Sequence, residues 1–423
     1  MRLWLFDLTT RERRTMIGCF GGWVLDALDV QVYSFIIPTL LATWRISKGE
    51  AGLLGTVALL ASALGGWAAG ALADRLGRVR VLQIAILWYA GFTFLSGFSW
   101  NFGALFLCRA GQGIGFGGEW AAGAVLMGEV IRDRYRGRAV GLVQSGWAVG
   151  WAAAAILYTL AFATLPEGLA WRVLFWIGLA PAGLVFWLRR YVPEPALYRA
   201  QAPRRETMAQ FFAVLRPPYL ARTLKISLMV MGAQASNYSV STWLPTYLKT
   251  VRGLSAVNTG GYLLLHILGA FLGFVLGAYC ADALGRKPTF AISALGSAVM
   301  IPLYLFLPLD DHMILLLGLP LGVVLYMMFS AMGPFMTEMY PTAVRGVGQG
   351  FCYSAGRAAG ALFPAMIGFL ADRLGLGPAI ALFGFAACAL MLAALAMLPE
   401  TAGRALDNAP LPEPADAAPN HAD

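Results

Sequence analysis

Gly70-Ala71-Leu72-Ala73-Asp74-Arg75-Leu76-Gly77-Arg78 and Gly277-Ala278-Tyr279-Cys280-Ala281-Asp282-Ala283-Leu284-Gly285-Arg286-Lys287 are two versions of one segment, 207 residues apart. Each closes an apolar run and opens a short basic loop. A second pair keeps nearly the same offset: Glu129 precedes Arg136-Gly137 by seven residues, and Glu338 precedes Arg345-Gly346 by the same seven, 209 residues on. Two motifs repeated at one spacing, each at the corresponding loop of its half, mark a duplicated unit.

The unit is a membrane unit. Of 423 residues, 59% are hydrophobic and 13% charged, whereas a soluble domain carries about a quarter charged. Apolar runs predict spans at 16–42, 51–73, 79–99, 102–128, 139–164 and 170–189, then at 224–248, 257–279, 288–308, 313–336, 346–370 and 378–398. The predicted fold is therefore all-α, with twelve transmembrane helices in two six-helix bundles, 1–189 and 223–400. A Pro- and Arg-rich linker, 190–222, joins them, and the tail 401–423, rich in Ala, Pro and Asp, reads as disordered. The first run has no cleavage-type flank and reads as a retained span.

With both ends placed on one side, 23 Lys and Arg fall in the N-terminus, even-numbered loops, linker and tail, against 6 in the odd-numbered loops. The positive-inside rule then puts both termini in the cytoplasm of a bacterial inner membrane protein. The formal charge of +9 is explained by topology and anionic lipid, without a nucleic-acid partner. The five cysteines are scattered, with no disulfide or metal spacing. A monomer is expected.

The loop motifs suit conformational work. Gly70, Gly77 and Gly285 allow close approach of span ends. Asp74 and Asp282 can meet a helix N-terminus, while Arg75, Arg78, Arg286, Arg136 and Arg345 can engage carboxylates such as Glu129 and Glu338. Such a cluster can latch two bundles and release them. A lone basic loop would read as a mere lipid anchor; its repetition favours the latch.

These loops, together with Arg109-Ala-Gly-Gln-Gly-Ile-Gly-Phe-Gly-Gly118, resemble the major facilitator superfamily over essentially all of residues 15–400. The resemblance implies two bundles rocking about a central site. Pro193-Glu194-Pro195, Pro399-Glu400-Thr401 and Glu338-Met-Tyr-Pro-Thr-Ala-Val-Arg-Gly346 are partial sugar-porter signatures. Asp26-Ala-Leu-Asp29 and Trp243-Leu-Pro-Thr-Tyr-Leu248 are similar to those of the proton symporters of organic acids, first the sialate and lactate permease type, then the aromatic-acid type.

A charge at a helix centre costs about 2.5–3.5 kcal/mol, so intramembrane charges point to sites. They are Asp26, Asp29, Arg109, Glu119, His266 and Arg357. Helical rise places Asp29 level with Arg109, and Asp26 level with Glu119. A carboxylate beside Arg stays ionised, whereas two neighbouring carboxylates favour holding a proton. Asp26 and Glu119 are thus the better proton carriers, and an Asp29–Arg109 pair serves as structural tie or as coupling.

Arg357 lies near the midplane with no acid at its depth in its own half, and a planar guanidinium suits a carboxylate cargo. His266 shares that depth. Gln144, Trp147, Gln234, Asn237, Tyr238, Tyr326 and Tyr353 complete a candidate substrate site, with Tyr353 one turn from Arg357. The predicted activity is import of a small organic carboxylate with a proton, driven by the proton gradient and needing no cofactor. The alternative is a sugar or polyol proton symporter, but the double-Gln element that the resemblance implies for the seventh span is missing here. Drug efflux is disfavoured because the exporters of the family carry a Gly-Pro-x-x-Gly-Gly type element in the fifth span, and residues 139–164 hold no Pro. No phosphate loop, nucleophile elbow or metal cluster suggests an enzyme or an ATP-driven pump, and a transport-incompetent nutrient sensor is the remaining rival.

Overall fold

The computed structural model describes residues 7–132, 136–180, 182–183, 185, 191, 213–308, 310–341 and 344–403. Within its helices, the side chains at 70–71, 73–75, 78, 118–125, 128–129, 136–138 and 140–141 lie outside that description. Glu119, Glu129, Arg136 and the Asp74-Arg75 and Arg78 side chains of the first loop motif therefore fall outside the described residues, as does most of the linker and residues 404–423.

All secondary structure among the described residues is helical. In chain order the helices are α1 (Thr10–Trp44), α2 (Lys48–Leu76), α3 (Arg78–Ser96), α4 (Phe102–Val130), α5 (Arg136–Thr164), α6 (Glu167–Ile177), α7 (Leu220–Ser241), α8 (Leu244–Thr250), α9 (Ala256–Ala283), α10 (Arg286–Phe306), α11 (Asp311–Glu338), α12 (Arg345–Gly360), α13 (Phe363–Leu374) and α14 (Leu376–Ala396). Nine helical stretches among the described residues are long and apolar enough to cross a membrane. The apolar run expected at 224–248 is broken into α7 and α8, and that at 346–370 into α12 and α13. The cause is Pro245 and Pro364, each in the first turn of the second piece. Proline lacks the N–H that would continue the preceding helix, yet it fits a new first turn.

Packing repeats the duplication seen in the loops. α2 lies along α4 and α3 along α4; in the second half α9 lies along α11 and α10 along α11. Small residues make the two seams possible. A Cβ on Gly117 would sit 1.7 Å from the Ser62 carbonyl oxygen, and one on Gly277 2.2 Å from that of Met327. Without a hydrophobic drive between helices in lipid, such close backbone contact supplies the association energy. The halves meet where α2 packs on α13 and α12, α5 on α9, and α1 on α8.

Helix ends are capped in detail. Thr9 and Glu12 form a capping box at the start of α1, and Glu12 also receives the Arg132 backbone and Nε N–H groups at 3.0 and 2.8 Å. Beyond α14, the Glu400 carboxylate accepts the Arg286 and Lys287 backbone N–H groups at 3.1 and 2.9 Å, so it caps α10. The Pro399-Glu400-Thr401 segment thus ties the end of α14 to the second loop motif. Burial pushes the Glu400 carboxyl up, but the amides of Ala402, Lys287, Thr401 and Arg286 outweigh it and hold the acid below the ordinary glutamate range. Its folded value being depressed, this stabilisation is present above the unfolded glutamate value near 4.3 and is lost as pH falls through the folded value. Glu400→Gln is expected to cost about 1 kcal/mol at neutral pH. Melting curves of the purified pair of proteins should differ at pH 7 and draw together as the pH falls below the ordinary glutamate value near 4.3.

Candidate functional site

Two polar clusters lie inside the helices, one in each half. In the first, Asp29, Arg109 and Gln112 are all buried. Asp29 and Arg109 do reach the same level, but the hydrogen bonds between them run through Gln112. The Arg109 guanidinium donates to Gln112 Oε1, and the Gln112 amide donates to Asp29 Oδ2 at 3.1 Å. Thr93 of α3 donates its hydroxyl to the same carboxylate oxygen, and the guanidinium carbon stands 4.5 Å from the Tyr33 ring centroid. The end of α6 closes over this group, for a Cβ on Gly178 would lie 2.7 Å from Asp29 Oδ1. Four helices therefore converge on one carboxylate. Asp26, one turn earlier on α1, is fully buried; the Glu119 side chain expected beside it lies outside the described residues.

The second cluster surrounds Arg357, which occupies the last turn of α12 at the break before α13. The residual negative charge of a helix C-terminus favours a cation there. Its guanidinium carbon lies 4.3 Å from the ring centroid of Phe116, a residue of α4 in the opposite half, and it interacts with the Tyr238 hydroxyl. Tyr353 lies one turn earlier and also near Tyr238. From Phe116 the rings continue to Trp147 at 6.4 Å and Trp23 at 5.5 Å beyond it. Trp151, one turn from Trp147, meets His266 at 5.4 Å and Tyr326 at 5.7 Å across the boundary between halves. Phe274 and Phe329 flank Tyr326 at 5.6 and 5.8 Å.

His266 Nδ1 lies 3.1 Å from the Gly318 carbonyl oxygen. A ring nitrogen facing a carbonyl carries the proton, so in the neutral ring Nε2 is an acceptor. Among the described residues His266 Nε2, Trp151 Nε1, Tyr326 Oη, Asn237 Nδ2 and Arg357 Nε are buried with no hydrogen-bond partner. An orphaned buried polar atom costs about 1–3 kcal/mol. Four of these groups can donate a hydrogen bond and His266 Nε2 can accept one, the capacity that recognition of a polar molecule requires.

Of the expected site residues, Arg357, Tyr238 and Tyr353 come together, as do His266, Asn237 and Tyr326. Gln234 packs instead against Gly360 at the α12–α13 break, and Gln144 contributes its carbonyl to Trp23 Nε1 at 3.2 Å. Phe116, Trp151, Gln112 and Thr93 were not expected. Gln112 is one turn from Arg109 and Trp151 one turn from Trp147, so helical spacing carried a signal for both.

The loop motif of the second half is engaged within that half. Arg286 donates to Asp282, four residues before it, and to Glu338 of α11, both at 3.0 Å. The Asp282 side chain is 84% exposed, so here it braces Arg286 rather than meeting a helix N-terminus. Gly285 has φ +107°, a conformation that only glycine adopts freely, and it starts α10. Arg345 Nε donates to the Tyr340 carbonyl at 3.2 Å.

The family model described as "Major Facilitator Superfamily" matches residues 19–364 and 263–419. A "Probable 4-methylmuconolactone transporter" of Cupriavidus pinatubonensis is 40% identical over 99% of this chain and 100% of its own length. A "Cis,cis-muconate transport protein" of Acinetobacter baylyi is 32% identical over 85% of this chain and 88% of its own. Among solved structures, a D-xylose-proton symporter superposes with a TM-score of 0.73 at 20% identity, covering 93% of this chain and 99% of that one.

Proposed function

The chain belongs to the major facilitator superfamily, a family of transporters rather than enzymes, and from that membership we propose that it imports a small, flat, unsaturated carboxylate together with a proton. Two six-helix bundles, 1–189 and 223–400, joined by the linker 190–222, rock about the central cluster, with both termini in the cytoplasm. The observation that carries this reading is Arg357. It is buried, stands at a helix break, has an orphaned Nε among the described residues, and is faced across the halves by Phe116.

A guanidinium over an aromatic ring is held laterally by the cation–π contact while its fork remains available to a carboxylate. The rings of Trp147, Trp151 and Tyr326 supply flat walls, which suit a planar cargo better than a small aliphatic acid or a bulky sugar acid. The names of the two relatives, a muconolactone and a muconate transporter, support the same preference. It moves the aromatic and unsaturated acids ahead of lactate and sialate. Asp26 and Glu119 are the proposed proton carriers. Asp29, tied by Thr93 and Gln112 and facing Arg109 through the amide, couples protonation to the α1–α4 contact. Bringing a monocarboxylate inward against a negative interior costs about 2.3 kcal/mol per 100 mV, which one proton cancels; a dicarboxylate such as muconate needs two protons for the same balance.

Proteoliposomes holding the purified protein test the reading. With the external side made acidic, radiolabelled cis,cis-muconate or benzoate should accumulate above equilibrium, and a protonophore should abolish the accumulation. Saturable binding of either acid with no accumulation would favour a sensor; accumulation insensitive to the protonophore would overturn proton coupling.

A further inference from the structure

A third copy of the loop motif lies on the face away from the termini. Gly368-Phe369-Leu370-Ala371-Asp372-Arg373-Leu374-Gly375 matches residues 70–77 at seven of eight positions. The backbone agrees with the sequence. Gly77, Gly285 and Gly375 have φ, ψ of 100°, 151°; 107°, 167°; and 86°, 161°, and each starts the next helix.

The Asp of this third copy is in use. Asp372 Oδ1 accepts the Lys48 backbone N–H and Oδ2 that of Gly49, both at 3.3 Å. These are the first two amides of α2, in the other half. Ser47 Oγ accepts the third, from Glu50, at 3.1 Å, and the Glu50 carboxylate accepts the Ser47 N–H at 2.7 Å. The first helix-bonded amide is Ala51, which donates to the Ser47 carbonyl at 3.0 Å. The start of α2 is thus capped by two residues of its own and one residue of the opposite half, with no first-turn amide left over.

Close backbone contact surrounds the cap. A Cβ on Gly49 would lie 2.2 Å from the Phe369 ring, and one on Gly368 2.2 Å from the Lys48 carbonyl oxygen. Two turns deeper, Thr56 donates its hydroxyl to the Ala361 carbonyl at 2.7 Å and accepts the Ala365 N–H at 3.2 Å. On the other side of the same face, Lys249 Nζ pairs with Glu167 at 3.2 Å, and a Cβ on Gly260 would lie 1.9 Å from Thr159 Oγ1. The two halves are therefore shut against each other across this face.

We infer that Asp372 is a gating residue: by capping the N-terminus of α2 from α13, its carboxylate holds the face away from the termini closed, and loss of that cap is the step that frees it. The inference stands on the α2–α13 geometry and is independent of what is carried. Two features suit a contact broken once per transport cycle. The hydrogen bonds are long at 3.3 Å, and the accompanying Lys48–Asp372 ion pair, 3.5 Å apart with both side chains one-third exposed, adds little. The cap and not the ion pair does the holding.

Hydrogen exchange on the full-length protein in lipid nanodiscs, without substrate, tests this. In Asp372→Ala the peptides covering 47–52 and 249–260 should both exchange faster, by roughly five- to tenfold, the effect of losing one charged cap. The isosteric Asp372→Asn should give a smaller increase in both and serves if the Ala variant does not fold. Lys48→Met, which keeps the backbone cap, should leave both peptides unchanged. Faster exchange confined to 47–52 would mean local fraying of one helix end and would overturn the gate, as would an Asn variant indistinguishable from wild type or a Lys48→Met effect equal to that of Asp372→Ala. Failure of muconate or benzoate uptake in wild-type vesicles would leave this result untouched.

Discussion

Arg357→Met is expected to abolish carboxylate uptake without lowering the melting temperature of the unliganded protein. The two halves of this expectation have the same cause. Arg357 is 5% exposed, and among the described residues no carboxylate is paired with it; its support is the C-terminus of α12, the Tyr238 hydroxyl and the Phe116 ring. A buried charge held by dipoles and a ring face is a standing cost to folding, and a methionine of similar length removes that cost while filling the space. The cargo's carboxylate loses its charged partner. Truncating one side of a buried charge pair costs about 2–5 kcal/mol, so affinity should fall at least roughly 30-fold. Equilibrium binding of labelled cis,cis-muconate and thermal unfolding, measured on one preparation, check both. A variant that melts lower and still transports would remove Arg357 from the site and make it a structural residue.

Gly117→Val should prevent stable assembly of the first half. Its Cβ would fall 1.7 Å from the Ser62 carbonyl oxygen and 2.8 Å from the Gly66 nitrogen, and neither is the mobile end of a side chain. The α2–α4 seam would have to open along its length. In lipid no hydrophobic effect closes it again, and overpacking of this kind costs about 3 kcal/mol or more. Even Gly117→Ala should lower membrane abundance and melting temperature. Gly168→Ala, with nothing within 4 Å of the added atom, is the matched control and should change neither.

The duplication and the apolar runs were legible because lipid solvation demands a near-uniform apolar code along a helix. Loop motifs repeat because the same turn is needed at corresponding helix ends. The positions of Asp29, Arg109, His266 and Arg357 along their helices followed from rise per residue alone. What could not be read was lateral: which face of one helix meets which face of another. Gln112 between Asp29 and Arg109 is such a case, since depth matched the two charges but gave no view of the amide between them. Phe116 and Trp151 are others, hidden among 25 Phe and 13 Trp whose apolar character fits lipid, core and binding wall alike. The broken helices were half visible. Pro245 and Pro364 lay in plain sight, yet α1 carries Pro38 and α11 carries Pro320 and Pro334 inside unbroken helices, so proline alone did not mark the breaks.

Those breaks divide the labour of the molecule. The short pieces α8 and α13 are joined to each other, Trp243 at the head of α8 donating its indole N–H to the Pro364 carbonyl at 3.1 Å, and each rests against the opposite half, α8 on α1 and α13 on α2. The glycine seams α2–α4 and α9–α11 lie elsewhere. The contact between the halves on this face thus falls in part on a small yoke of two coupled stubs. A displacement at either break is therefore passed to the other through one indole hydrogen bond.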